Sequence, residues 1–399
     1  MKKIPLTLYL EINNFNFIFL VGESNSYENF KIIYKMEVST EGIEQNRIID
    51  LEKTFNIIKK NIFLIEQKLN YTFKDVVLIL DSFNIKFINI SGFKKMNGSQ
   101  ILRENITHIL NKLKSCVDET ELKKIILHIF NSKFYLDYKK IENLPIGLFS
   151  DFYAHELSFS LIDTNDYKNL NYIFDKCGLI IKKILIKSFI KGANISHNYK
   201  NIDTFFCIMI GNKNLKIFYF ENDSLKSEQN FNFGIDIILR DISKITSLKM
   251  HIIKKILEQT ELKKEEITED DLIEKKFFEE SSFRKIKKKL IYEIAEARIR
   301  EIVDLVIFQN INFGHYVKKT ENIFLEIDQI EKYKFLHSIF KDIFLTKANY
   351  KLNFLDDSSN ESILSSANKI VHYGWSKEAI PITEMKKSII ARFFEAIFG

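Results

Sequence analysis

The chain has 399 residues, 46% of them apolar, and a net charge of +6 from 59 basic and 53 acidic side chains. That supports two or three domains with sizeable cores, and the charge is too mild to single out nucleic acid over an anionic membrane or protein. No run approaches the roughly 18 apolar residues of a membrane span, and only 12 glycines and 3 prolines speak against a glycine-rich phosphate-binding enzyme.

The cysteines, Cys116, Cys177 and Cys207, are far apart and form no CxxC pair. Neither zinc nor disulfides are indicated, which fits a reducing compartment. Glu11 interrupts the first apolar run and no small-residue cleavage site follows, so no signal peptide is expected.

Strand and helix signals alternate, which predicts an α/β protein. Segments 6–10 and 15–21 read as a hairpin around Asn13-Asn14, and 31–38 as a third strand. Segment 50–69 carries Leu51, Phe55, Ile58, Ile62, Ile65 and Leu69 at helical spacing, and 76–80 is a short buried strand. A block at 82–150 reads as an inserted small domain: strand 85–90, helix 100–113, strand 124–130 and the loop Asn143-Leu144-Pro145-Ile146-Gly147. Strand 153–163, helix 166–177 and strand 180–186 follow. A second hairpin, 205–210 and 215–220, surrounds Gly211-Asn212-Lys213-Asn214 and leads to helix 235–245. Segment 246–310 reads as nearly all helical, charged and rich in lysine; strand 321–325 and helices 331–344 and 362–373 close the body.

The last fifteen residues read as a membrane-surface helix. Ile389, Ile390, Phe393, Phe394, Ile397 and Phe398 fill one half of a wheel at about 100° per residue. Arg392 lies on the other half, and Lys386 and Lys387 stand at the entrance, where they can snorkel toward headgroups. The segment is short of the roughly 20 residues that span a bilayer, so it would lie in the interface plane. Packing on its own body is the alternative. Bulky apolar residues up to the penultimate position, and the polar stretch 376–384 before them, favour lipid. Six half-buried side chains would contribute roughly 5–9 kcal/mol before ordering costs, a weak anchor that linked copies make firm.

Two halves, each opening with a hairpin, describe an actin-like nucleotide-binding architecture. In order and spacing, several segments together resemble the FtsA family of bacterial cell-division proteins, which are actin homologues. They are Leu10-Glu11-Ile12, Leu127-His128-Ile129, Asn143 to Leu148, Cys177-Gly178-Leu179, Phe231-Asn232-Phe233-Gly234 with Asp241-Ile242, Glu293 to Arg298, and His372-Tyr373-Gly374. The resemblance implies a two-lobed, ribonuclease-H-like fold. Residues 1–81, 151–203 and 350–380 would form the first lobe (1A) and 82–150 the inserted 1C-type subdomain. The second lobe (2A) would take 204–245 and 311–349, a helical 2B-type subdomain 246–310, and a linker with the terminal helix 381–399. It also implies an ATP site with magnesium at Glu11, Asn13, Asn14, Gly211, Lys213 and Asn214.

The departures at that site are large. Where the family has glycine and a small hydroxyl residue, Asn13 and Asn14 stand; where it has an acidic residue and three glycines, Met209-Ile210-Gly211-Asn212-Lys213-Asn214 stands. The adenosine loop would carry paired glycines, but Phe324-Leu325 runs into Glu326-Ile327-Asp328. Glycines let backbone amides approach phosphates, and a carboxylate is needed to hold Mg²⁺ through water. Loss of ATP hydrolysis and weak or absent ATP binding are therefore expected, although Glu11 is retained and Lys213 could meet a phosphate.

The eight histidines form no HxH or HExxH pair and are expected to be structural, and Trp375 reads as a packing residue. The run Arg284-Lys285-Ile286-Lys287-Lys288-Lys289 lies on one expected helix without interleaved aromatics, so no nucleic-acid partner is expected. The resemblance implies instead that Arg284, Lys288 and Arg298 contact the acidic C-terminal peptide of FtsZ. It further implies self-association into filaments and docking of later division proteins through 82–150, at the cytoplasmic side of the inner membrane at the division site. An ATPase using the altered loops, and a shape-determining or pilus-assembly filament, are the alternatives. The terminal helix speaks against a PilM-type protein and the insertion against an MreB-type one.

Overall fold

The computed structural model describes residues 6–24, 30–81, 83–260, 267–268, 270–278, 283–328, 334–346, 350–355 and 360–379. These residues divide into two compact units. The first takes the described residues up to Lys200, the turn Glu221–Lys226 and the described residues from 360 on; the second takes Asn201–Phe220 and those from 227 to 355.

In the first unit, β1 (Leu6–Ile12) and β2 (Asn16–Ser24) form the expected hairpin, with Ile12 opposite Phe17. β3 (Phe30–Ser39) follows, then the two-residue pair β4 (Ile43–Glu44) and β5 (Arg47–Ile48). Helix α1 (Leu51–Leu69) starts where the Asp50 side chain accepts from the Lys53 amide at 3.0 Å and stops at Asn70 in the left-handed region. β6 (Asp75–Leu80) runs parallel to β1 and is apolar almost throughout, because both faces of the sheet are covered.

An α/β module interrupts this sheet. It contains β7 (Lys86–Gln100), α2 (Arg103–Thr120), β8 (Lys124–Leu136), β9 (Lys139–Ile141) and β10 (Phe149–Asp163), in the strand order β7-β10-β8-β9. Its core joins Ile109, Leu113 and Val117 of α2 to Phe134, Tyr153 and Phe159. The sequence boundary at 150 is thereby corrected: β10 pairs with both β7 and β8, so the module extends to Asp163. Alternation of side chains shows that a segment is a strand but not which sheet receives it.

After α3 (Thr164–Lys176), β11 (Ile180–Ile186) returns parallel to β6 and completes the order β11-β6-β1-β2-β3. Helices α1 and α3 cover one face through Ile58, Ile62, Leu170 and Phe174. The other face carries Tyr9 and Glu11, with α4 (Lys187–Asn198) and α10 (Asn360–Tyr373), and Tyr9 donates to Asn368 Oδ1 at 2.9 Å.

The second unit opens with β12 (Phe205–Ile210), β13 (Leu215–Glu221) and β14 (Ser224–Phe231). Helices α5 (Ile235–Thr246), α6 (Met250–Gln259) and α7 (Lys288–Val303) follow, the last continued by a π turn at Asp304–Phe308. α8 (Gly314–Val317), β15 (Asn322–Ile327), α9 (Lys334–Thr346) and β16 (Lys351–Phe354) complete it, with strand order β14-β13-β12-β15-β16. Strand β16 pairs with β15 here, so residues 350–355 leave the first lobe where the sequence placed them.

Segment 246–310 is also less helical than expected. Among its described residues a stretch whose one helical piece is a short 3-10 turn at Lys275–Phe278 separates α6 from α7: Ile273 donates to the Ile286 carbonyl at 2.9 Å and Leu272 bridges Lys287. Arg284 to Lys287 therefore precede α7 rather than lying on it. Burial of Ile273 and Ile286 in the core favours this pairing over a continuous helix.

Two buried polar features mark the first unit. Lys226, only 1% exposed, donates to Glu156 at 2.6 Å, while Lys133 reaches Glu221 at 2.9 Å and Glu156 at 3.5 Å. Burial works against the charge on Glu156, but the Lys226 and Lys133 ammonium groups outweigh it and hold its carboxyl below the usual range. His155 lies fully buried beside Phe134 and Tyr153, and neither ring nitrogen has a hydrogen-bond partner.

Candidate functional site

The first phosphate-loop segment is consumed by its own side chains. Asn13 Oδ1 accepts from the amides of Phe15 and Asn16, both at 2.8 Å, an Asx turn that fills donors a phosphate would need. The Asn13 carbonyl accepts from Thr40 Oγ1 at 3.1 Å. Asn14 exchanges bonds with Asn46, donating to Oδ1 at 2.6 Å and accepting from the backbone amide at 3.1 Å.

Glu11, on the covered face of β1, is buried and bonded to Lys187 Nζ at 2.8 Å; the same ammonium reaches Asp81 Oδ2 at 2.9 Å. Desolvation disfavours the lysine's charge, yet Asp81 and Glu11 together raise its pKa above the ordinary lysine value. A magnesium ion needs oxygen ligands and water at about 2.0–2.1 Å, and here an ammonium stands between the two carboxylates. The residues present therefore do not fit a metal at this position. Among the described residues, no group of three or more His, Cys, Asp or Glu side chains could hold a metal ion.

The second loop segment, in the other unit, is closed in a different way. The Gly211 amide donates to the Asn214 carbonyl at 2.9 Å, tightening the hairpin. Two amides at the start of α5, those of Ile235 and Asp236, donate to the carbonyls of Gly211 and Asn212, both at 3.0 Å. A helix N-terminus is a ready anion site, and here loop oxygens take those donors. Asn214 Oδ1 lies 2.4 Å from where a Cβ on Gly211 would stand, so the Asn214 side chain fills the space beside that glycine. Lys213 is exposed at the tip. Gly234 packs directly beneath, and a Cβ there would stand 2.1 Å from the Gly211 carbonyl oxygen. Gly234→Ala should therefore cost about 1–3 kcal/mol through overpacking against backbone, read as a lower melting midpoint.

Met209 lies on β12 beside Glu326 of β15 and opposite Lys216. Asp328 donates its amide to the Ile210 carbonyl at 2.8 Å; the residues just beyond it, 329–333, lie outside the described residues.

The basic residues of the expected peptide contact are engaged within the second unit. Arg284 Nη1 approaches the carbonyls of Thr246 and Ser247, 3.5 and 3.4 Å away, at the C-terminal end of α5. Arg298 pairs with Asp241 and Glu301, and the Asp241 bond raises its pKa. Lys288 is half-buried at the first position of α7.

The proposed anchor residues Lys386, Lys387, Ile389, Ile390, Arg392, Phe393, Phe394, Ile397 and Phe398 lie outside the described residues. The chain leading to them is fastened. Asn131 donates to the Lys377 carbonyl at 2.6 Å and Ala379 to the Ile129 carbonyl at 2.7 Å, which lays residues 377–379 against β8. Glu378 lies 2.9 Å from His128 Nδ1 and accepts from Lys183 at 2.7 Å. Burial would raise its carboxyl, but His128 and Lys183 prevail and bring it down to about 2. Trp375 Nε1 donates to the Asp223 carbonyl at 2.8 Å and packs edge-on to Phe189. Sequence reasoning missed Lys187, Asp81 and this fastening. The one available signal was a lysine directly after a buried parallel strand.

No protein-family model matches the chain. The cell division protein FtsA of Buchnera aphidicola subsp. Schizaphis graminum (strain Sg) is 23% identical over 242 residues, an alignment spanning 61% of this chain and 57% of that protein. A solved chain of a PilM–PilN type IV pilus biogenesis complex superposes with a TM-score of 0.56 at 10% identity, covering 92% of this chain and 98% of its own. MreB5 of Spiroplasma citri bound to ADP gives 0.46 at 9% identity, over 92% and 95%. The hairpin-led sheets of the two units and the likeness to the pilus-complex chain define an actin-like α/β fold. Within that class the chain is similar to FtsA over the 242 aligned residues, which span 57% of that protein's length.

Proposed function

We propose that this protein is a cell-division adaptor: it tethers FtsZ polymers to the cytoplasmic face of the membrane and assembles with copies of itself into actin-like filaments, without turning over ATP. The observation that carries the reading is that each phosphate-loop segment satisfies its own donors and charges: Asn13 fills amides of the first, Lys187 holds Glu11, and carbonyls of Gly211 and Asn212 fill the start of α5. Likeness to FtsA over 242 residues supports the division role. No helix among the described residues is long and apolar enough to cross a membrane, so attachment rests on the amphipathic pattern at 386–399.

FtsZ capture falls to the α5–α7 region, where Arg284, Lys288 and Arg298 meet an acidic peptide by replacing internal contacts with peptide carboxylates. Residues 82–163 supply part of the filament contact, which is heterologous and open, and take later division proteins.

Co-sedimentation with anionic liposomes tests the reading. The full chain should pellet and carry FtsZ with it, and deleting residues 386–399 should release both; retention of the truncated chain would remove the anchor. Arg284→Glu should weaken binding of an FtsZ tail peptide, and unchanged affinity would place that contact elsewhere. Calorimetric titration with ATP and magnesium should give no saturable heat; a saturable site would favour the ATPase reading.

A further inference from the structure

We propose that Lys187 is the resident cation of the strand-end site in the first unit, its ammonium standing between Glu11 and Asp81 in the place of a divalent metal ion. Three neighbouring parallel strands deliver the three groups. In the order β11-β6-β1, Lys187 directly follows β11, Asp81 directly follows β6, and Glu11 is the penultimate residue of β1. Ligands of open α/β sheets collect outside the carboxyl ends of such strands, where a polyanion brings a metal ion to offset its charge.

Here the offset is covalent. The ammonium has three donors, and two point at carboxylates 2.8 and 2.9 Å away. The Glu11 side chain is 3% exposed and those of Lys187 and Asp81 are 16% and 17% exposed, so solvent screens the group little. A hydrated divalent ion would have to expel the lysine from between both partners. The site therefore keeps its cation in the presence of chelators and needs no nucleotide-borne metal. This concerns one unit by itself and goes beyond the adaptor role, so liposome binding and FtsZ capture are indifferent to it.

The test is thermal unfolding of the full chain in EDTA and in millimolar magnesium or calcium. Wild type should melt at the same temperature in all three. Lys187→Met leaves two carboxylates facing each other, and its midpoint should fall by roughly 5–10 °C in EDTA. Magnesium or calcium should restore at least half of that fall, which an ion pair with a merely structural role would not show. Lys187→Arg should behave as wild type. A Lys187→Met variant that is soluble only with divalent salt supports the proposal equally. Should it fold in neither condition, Glu11→Gln/Lys187→Met, which removes one charge of each sign, should fold and show no metal response. The idea is overturned by a Lys187→Met variant as stable as wild type, by a fall that no divalent ion reverses, by metal-dependent melting of wild type, or by a metal response in the double variant.

Discussion

Lys226→Met should destabilise the first unit by about 3–5 kcal/mol, the range for removing one partner of a buried ion pair. Methionine preserves most of the volume, so packing is not the cause. The loss is electrostatic: Glu156 would lose its 2.6 Å ammonium partner and share Lys133 with Glu221, the latter's side chain only 8% exposed. The turn Glu221–Lys226 would lose its hold, because Lys226 Nζ to Glu156 at 2.6 Å is reinforced by Ser158 Oγ donating to the Leu225 carbonyl at 3.1 Å. Denaturant titration of wild type and variant reads the effect. Adding Glu156→Leu to Lys226→Met should recover a large part of it, since the uncompensated carboxylate then disappears. A double variant as unstable as the single one would show that the lysine's alkyl packing, not its charge, was lost.

Acid should weaken the same unit in a defined window. Burial lowers the pKa of His155 to about 4, against about 6.5 in the unfolded chain. Between those values the unfolded chain binds the proton and the folded one refuses it, so stability falls as pH falls. The slope approaches about 1.4 kcal/mol per pH unit, and the full loss from pH 6.5 to 4 is about 3 kcal/mol. Above about pH 7.5 this group contributes almost no pH dependence. Melting midpoints at pH 7.5, 6 and 5 should drop for wild type and stay flatter for His155→Phe, which keeps an aromatic ring beside Phe134 and Tyr153. Equal slopes would assign the acid sensitivity to another group. Glu378 acts lower: its depressed pKa contributes stability that is present above the usual glutamate value and lost as pH falls toward about 2.

Local chemistry made most elements legible before any coordinates. Asn13-Asn14 and Gly211 to Asn214 announced two hairpin turns, the helical spacing of 50–69 announced α1, and the apolar run of β6 announced a buried strand. Helix α4 was missed because Ser188 to Ala193 are all buried, which erases the one-sided stripe that marks a helix in sequence. The reach of β10 was missed because its alternation names no partner strand. At the site, loss of the glycines was plain, but the internal bonds that engage the loop donors were not. Glu11, Asp81 and Lys187 are brought together only by strand order, and the bonds from α5 to Gly211 and Asn212 are between backbone atoms, which leave no trace in residue identity.

The short pairing of residues 377–379 with β8 has a mechanical side. A pull applied along the axis of this pairing would strain the two backbone bonds to Ile129 and Asn131 and the grip on Glu378 together in shear rather than peel them one by one. A joint of that geometry resists a sudden tug far better than its equilibrium strength would suggest, and it delivers the tug into β8, the strand that β10 braces along its whole length.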